Sequence, residues 1–422
     1  MEAAVDTGVA APLTAPRLPV WVMGLAMAPF GLLGGVWAVS VPQLLAAQHV
    51  PEPTIATVSA LSGLPASLGF LASPVLDLWI SRRAWALALA VLTGVLLFAA
   101  LVCHESVAAL GSLLFLAWLA AILFAGAAGA WLSGLLPQEK RASLAAWGTV
   151  GNIGAGGLSV MIAMPLLRDL PFALGAAILG LAVMVPVLPL LWQEAPPPDA
   201  GLSHEGFAAL LRDLRTLVTR PHIVRLLVLF LAPAAAFALT NLLGGLGDQF
   251  RASERFVSTV GGAGVTFAGI VGSLLVPRLL ALTTPVRLYL LIGVVGALFT
   301  GVLILAPHGP GTFALAMMGE NAFQAAAFSA AFAITFRSVG SDNPLAATQV
   351  SLLTGAGNGP VTYMQILDGH AFGAAGVAGA LGFDSAVSLA ACAVMALWLW
   401  RRAEPELPAE VRASPPARGD FR

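Results

Sequence analysis

Charge is what this chain has least of. Asp, Glu, Lys and Arg together make up 10% of 422 residues, against about 25% in an ordinary soluble chain. With a mean hydropathy of +0.90, that shortage excludes a soluble globular protein. The formal net charge is -1, so there is no basic footprint for nucleic acid. Cysteine is nearly absent too. Cys103 and Cys392 each sit in or at the end of an apolar run, which excludes a disulfide or thiolate metal framework and predicts two small buried hydrophobes. No Gly-x-x-x-x-Gly-Lys-Ser/Thr phosphate loop occurs, which excludes a nucleotide-driven pump. No nucleophile–base set, paired catalytic carboxylates or His cluster falls on neighbouring segments, so neither an enzyme, a cofactor nor a metal site is expected. A short cleavable leader is not expected: the apolar run after Arg17 is too long for one, and should remain as the first span.

What the chain has is long apolar runs. A window of about 19 residues predicts twelve membrane spans: 19–47, 53–80, 84–103, 107–135, 142–167, 172–192, 223–247, 256–281, 286–306, 312–336, 345–367 and 383–400. The expected fold is an all-α polytopic membrane protein. Residues 1–18 form an N-terminal tail, 19–192 a first six-helix bundle, 193–222 a linker, 223–400 a second six-helix bundle, and 401–422 a tail. The linker opens on Pro196-Pro197-Pro198. It then spaces Phe207, Leu210, Leu211, Leu214 and Val218 as an amphipathic surface helix would, with Arg212, Asp213 and Arg215 between them.

Lys and Arg are distributed unevenly among the connections. One set holds Arg17, Arg82, Arg83, Lys140, Arg141, Arg212, Arg215, Arg220, Arg225, Arg278, Arg287, Arg337, Arg401 and Arg402; the other holds only Arg168, Arg251 and Arg255. The positive-inside rule then places both termini and the linker in the cytoplasm; the membrane is expected to be a bacterial inner membrane. The halves also repeat. Leu144-Ala145-Ala146 with Gly154 and Gly156 recurs as Leu345-Ala346-Ala347 with Gly355 and Gly357, and Gly69 with Ser73 recurs as Gly269 with Ser273. Parallel six-span repeats with a pathway at their interface are a plan found among secondary transporters.

Polar residues inside the spans mark the candidate site. Glu320, Asn321 and Gln324 fall within about one and a half turns of an otherwise apolar run. A carboxylate there costs several kcal/mol unless it faces a cavity or a partner. Glu320 is therefore the expected coupling or substrate-facing acid, and an interhelical hydrogen-bond cluster is the bland alternative. Gln349 and Asn358 on the eleventh span, and Asn152 on the fifth, complete the expected pathway. Gly359-Pro360 is expected to break or kink the eleventh helix. At the end of the second span, Asp77 precedes the basic turn Arg82-Arg83; an acid at a helix end beside a basic turn is the expected gate. His104, His308 and His370 fall in outer loops, and Trp21, Trp79, Trp85, Trp192, Trp398 and Trp400 at membrane borders.

These motifs resemble one branch of the major facilitator superfamily, the branch of the AmpG-type muropeptide permeases and the peptide/acetyl-coenzyme A transporters. The resemblance is carried by Pro74-Val-Leu-Asp77 with Ser81-Arg82-Arg83-Ala-Trp85, by Leu136-Pro137-Gln-Glu-Lys-Arg141, by Asn343-Pro344-Leu-Ala-Ala-Thr-Gln349 and by Tyr363-Met364-Gln-Ile-Leu-Asp368-Gly369. It implies a proton-coupled carrier, a monomer in the lipid bilayer, that moves a small-molecule substrate such as a muropeptide or acyl-coenzyme A. The fourth span, Phe124–Trp131, lacks the acids such permeases carry there, which counts against a muropeptide; siderophore-uptake permeases resemble the same branch, so a ferric siderophore is another expected cargo. Export of a drug or metabolite, and a non-transporting sensor on a carrier fold, are the other expectations.

Overall fold

The computed structural model describes residues 16–77, 80–193, 212, 215–340 and 343–401. Every regular element among them is helical. Lipid imposes this, because a backbone group in hydrocarbon must find its hydrogen bond within its own segment.

Twelve membrane helices follow in order. α1 is Val20–Ala47, α3 Arg82–Val102, α4 Val107–Gly134, α5 Gln138–Asp169, α6 Phe172–Trp192 and α9 Pro285–Leu303. α2 runs from Glu52 through the 3-10 coil Gly69–Asp77, and α8 covers Arg255–Leu279. α10 is Pro310–Ser338. Among the described residues, nine helices are long and apolar enough to cross a membrane. The other three spans have specific reasons for escaping that criterion. α10 is long enough, but its Glu-Asn cluster dilutes the apolar run. α7 is broken: Pro221–Leu231 ends at the extended Ala232, and the chain resumes as Leu239–Leu243. The continuous helix Ala346–Arg401 is two spans, α11 (346–374) and α12 (377–401), divided at Ala375 and Gly376. Gly376 has φ 62°, a conformation that glycine adopts without strain.

Several expectations need correction. The break expected at Gly359-Pro360 is absent; α11 runs on through Pro360 and the break falls in α7 instead. The stretch 368–382, read as an outer loop around His370, is the helical end of α11 and start of α12. Cys103 is exposed, whereas Cys392 is buried and donates its thiol to the Ala234 carbonyl. Trp79 and, in the linker, Phe207, Leu210, Leu211, Asp213 and Leu214 lie outside the described residues.

Glycine sets how closely the helices pack. A Cβ on Gly31 of α1 would lie 1.9 Å from the Asn152 carbonyl oxygen on α5, and one on Gly293 of α9 would lie 1.9 Å from the Ala234 carbonyl oxygen on α7. Backbone cannot yield as a flexible side chain does. Gly31→Ala is therefore expected to cost about 2–3 kcal/mol, seen as a clear drop in melting temperature in detergent; a wild-type melt would contradict that packing.

Succession of antiparallel spans puts all the Arg-rich connections on one face, here called the basic face. The cores divide unevenly between the two faces. Near the basic face, Leu76, Phe124 and Trp131 of the first half share one cluster with Phe336, Ala347 and Val350 of the second. Toward the opposite face, one cluster draws only on first-half residues such as Leu33, Leu110 and Leu179. Another draws only on second-half residues such as Leu239, Phe313 and Leu381. The two bundles are joined at the basic face and through the middle, and are separately packed beyond it.

Candidate functional site

The join at the basic face is built from helix ends. Asp77 terminates α2, and its carboxylate takes Arg82 Nε at 3.0 Å. The same carboxylate caps the start of α11 in the other half: Oδ1 accepts from the Ala347 N–H, and Oδ2 accepts from the Thr348 N–H at 2.9 Å and its hydroxyl at 2.7 Å. An anion at a helix N-terminus satisfies otherwise unpaired N–H groups and meets the positive end of the helix dipole. Arg82 then reaches across to the carbonyls of Asn343 and Pro344.

Arg141, at the start of α5, does the converse. Its Nη1 donates to the Phe336 and Val339 carbonyls at 2.8 and 2.9 Å, at the C-terminal end of α10. The first half thus caps both helix ends of the α10–α11 connection, with an acid on the N-terminus and a base on the C-terminus. Asp77 and Arg82 are brought together as expected. Arg83 is not part of the set, because it turns back to the Leu191 carbonyl at the end of α6. Arg141 belongs to the set, although its sequence context marked it only as an orienting charge; the signal that could have found it is a cation beside a helix terminus from the other repeat.

Further in, the halves meet through small side chains. The Ser329 hydroxyl on α10 donates to Thr149 on α5 at 3.3 Å. Ser67 on α2 bonds Thr362 on α11, and Asn358 donates to the Ala66 carbonyl. A Cβ on Gly157 of α5 would lie 2.0 Å from the Thr266 hydroxyl on α8.

The remaining candidate residues do not converge on one cavity. Glu320 is fully buried and points at α9, where its Oε1 accepts from the Thr300 hydroxyl. Asn321 bonds back to the Met317 carbonyl of its own helix. Gln324 braces the break in α7, donating to the Phe237 carbonyl at 3.0 Å and to Thr240 Oγ1 at 2.9 Å. The break is also held by Tyr363, whose hydroxyl donates to the Leu231 carbonyl at 2.8 Å. Asn152 accepts from the Gly31 N–H and so ties α5 to α1. Gln349 ties the start of α11 to Ser338 and accepts from Asn343. Of the six expected pathway residues, only Asn358 makes a side-chain bond across the two halves. Gln324→Leu would remove the two bonds that tie α10 to the α7 break and leave the Phe237 carbonyl to the Thr240 hydroxyl alone, a loss of about 0.5–1.5 kcal/mol per bond. Faster amide exchange across residues 232–240 is the expected readout, and unchanged exchange there would contradict the bracing role.

Sequence reasoning passed over two further acids. Asp368 on α11 and Asp384 on α12 are 0% and 2% exposed. Cations are distributed very differently. Every described Lys and Arg lies in a connection or within about two turns of a helix end. None stands mid-span. Among the described residues, no group of three His, Cys, Asp or Glu could hold a metal ion.

No protein-family profile and no curated protein matches the sequence. Solved structures do match its fold. A proton:xylose symporter of the major facilitator superfamily, XylE, superposes with a TM-score of 0.69 at 12% identity over 90% of this chain and 95% of that one. The human organic anion transporter MFSD10 gives 0.66 at 14%, over 89% and 98%. A bacterial homologue of the iron transporter ferroportin, in an outward-facing state, gives 0.62 at 17%, over 91% and 100%. The fold is that of the major facilitator superfamily transporters: twelve helices in two six-helix bundles.

Proposed function

We propose that the chain is a secondary carrier that works by alternating access, and that the structure is its state closed on the cytoplasmic side. One observation carries the reading. The two bundles share a core and cap each other's helix ends at the basic face, and they keep separate cores at the opposite face. A two-state carrier needs contacts of this kind on one face at a time, made from polar groups that can exchange partners. The excess of Lys and Arg supports a cytoplasmic assignment for the closed face, with both termini inside; a bacterial inner membrane is the proposed location. Carriers of this plan act as monomers. Glu320 is the acid assigned to proton coupling.

The cargo is assigned by what the middle of the spans lacks. The AmpG-like resemblance suggests a muropeptide or an acyl-coenzyme A, whose carboxylates or phosphates would enter the membrane with no mid-span cation to receive them. Desolvating an unpaired anion is costly. The polar side chains that meet between the halves further in from the gate are instead neutral: Ser67, Thr149, Ser329, Asn358 and Thr362. The expected cargo is a neutral or cationic hydrogen-bonding solute, a neutral ferric chelate included.

Thermal stability of the purified protein against a panel tests this. The panel holds an acyl-coenzyme A, an anhydromuropeptide, neutral and anionic ferric siderophores, small peptides and organic cations. A ligand at about 100 times its Kd adds roughly 2.7 kcal/mol. A shift from neutral or cationic members is expected; a shift confined to the anions would overturn the assignment.

A further inference from the structure

Among the described residues, the second bundle contains three buried acids and no cation paired with any of them. Glu320 on α10 and Asp368 on α11 are 0% exposed, and Asp384 on α12 is 2% exposed. Glu320 Oε2, both oxygens of Asp368 and Asp384 Oδ1 have no hydrogen-bond partner among the described residues. Asp384 lies within electrostatic reach of both Glu320 and Asp368. The surrounding elements add only neutral groups. α9 supplies Thr300, bonded to Glu320, and its Ala297 carbonyl accepts from Ser385. Ser388 is buried one turn further along α12. The cations of the same helices, Arg287, Arg337 and Arg401, all stand at the basic face. The histidines on or beside these helices are His370, exposed on α11, and His308, stacked on Phe250 in the connection before α10.

The two Asp residues also stand at nearly one depth, with Glu320 deeper than both. From the ends of their helices at the face opposite the basic one, Asp368 lies about 9 Å in, Asp384 about 10 Å and Glu320 about 15 Å, by helix rise. All three acids are electrostatically linked: Glu320 to Asp384 and, less strongly, to Asp368, and Asp368 to Asp384. Glu320 is one residue from Asn321 and one turn from Gln324, which braces the α7 break.

We propose that Asp368, Asp384 and Glu320 form a proton relay inside the second bundle, loading from the face opposite the basic one and ending at Glu320, separate from the seam that the cargo uses. Three carboxylates this close and this buried cannot all be ionised without a cation, so the set holds protons. A metal ion is the poorer occupant, because it needs several oxygens converging on one point and these do not converge. The relay deepens the carrier reading, since it names three groups where proton coupling assigned one. Its test reads protonation directly and needs no cargo, so it can fail while the carrier stands, or hold if no cargo is found.

The test is infrared spectroscopy of the full chain in lipid, following the C=O stretch of protonated carboxyl groups. Wild type should show such bands at neutral pH, and E320Q, D368N and D384N should each remove one. On transfer to deuterated buffer, the Glu320 band should exchange at least about tenfold more slowly in D368N and D384N than in wild type, a change of about 1.4 kcal/mol in barrier. D384N should also move the titration of both remaining acids, as coupled sites require. Neutral-pH spectra without protonated-carboxyl bands would overturn the proposal, and so would Glu320 exchange indifferent to both Asp variants. Should a variant fail to fold, the wild-type spectrum still decides whether the acids hold protons, and the other Asp variant still decides the route.

Discussion

Asp77→Asn should open the basic face. The native carboxylate does three things at once: it pairs with Arg82, accepts two N–H groups at the start of α11 and accepts the Thr348 hydroxyl. The amide keeps one acceptor and turns an NH2 group toward donors. Arg82, 8% exposed, loses its ion pair with Asp77. Breaking a buried pair by removing one member costs about 3–5 kcal/mol. The contacts across to α11 exist only while the basic face is closed, so much of that cost falls on the closed state. A shift of about two orders of magnitude in the closed-to-open ratio follows from roughly 2.7 kcal/mol. Ser351→Cys, 3% exposed below the gate, reports it after Cys103 is replaced by Ser. Labelling by a membrane-impermeant thiol reagent from the basic side should quicken about a hundredfold. An unchanged rate would mean that Asp77 does not hold the seam.

Glu320→Gln should abolish gradient-driven accumulation while leaving the fold intact. The glutamine oxygen can still accept from Thr300, and its amide takes the place of an oxygen that has no partner. Stability should therefore change by no more than about 1 kcal/mol, while the titratable group is gone. Uphill uptake of the solute found by the ligand panel should fall by at least about a hundredfold, with downhill exchange retained, because the barrier to rocking the bundles is untouched. Full accumulation in the variant would remove Glu320 from coupling.

Much of the fold is written in hydropathy, because lipid turns apolar length directly into helices. Spans such as 84–103 and 172–192 agree with the structure to within about two residues. The break in α7 is not legible there. Pro233 is a break signal of the same kind as Pro360, and nothing local says which of the two breaks its helix; the carbonyls freed at α7 are satisfied by Tyr363, Gln324 and Cys392, which arrive from other helices. The gate was half legible. Asp77 beside Arg82 is a local pattern, whereas Thr348 lies 271 positions away, and the pairing of Arg141 with the end of α10 depends on how the repeats meet. Composition also picks out polar residues without saying which way they point. Asn152, Gln324 and Gln349 all stand out in apolar runs, and all three are spent on holding backbone in place. Asp368 and Asp384 escaped for the opposite reason: each lies near a span edge, where a lone acid looks like the start of a loop.

The most direct measurement is the distance between the bundles at both faces, by spin-label spectroscopy on a Cys103→Ser background. Labels at Lys140 and Arg278 report the basic face, and labels at Arg168 and Arg255 the opposite one; all four residues are exposed at the ends of α5 and α8. Wild type should give a short, narrow distribution for the first pair and a long one for the second. Asp77→Asn should lengthen the first and shorten the second together. Two distributions that fail to move in opposite directions would contradict alternating access about this seam.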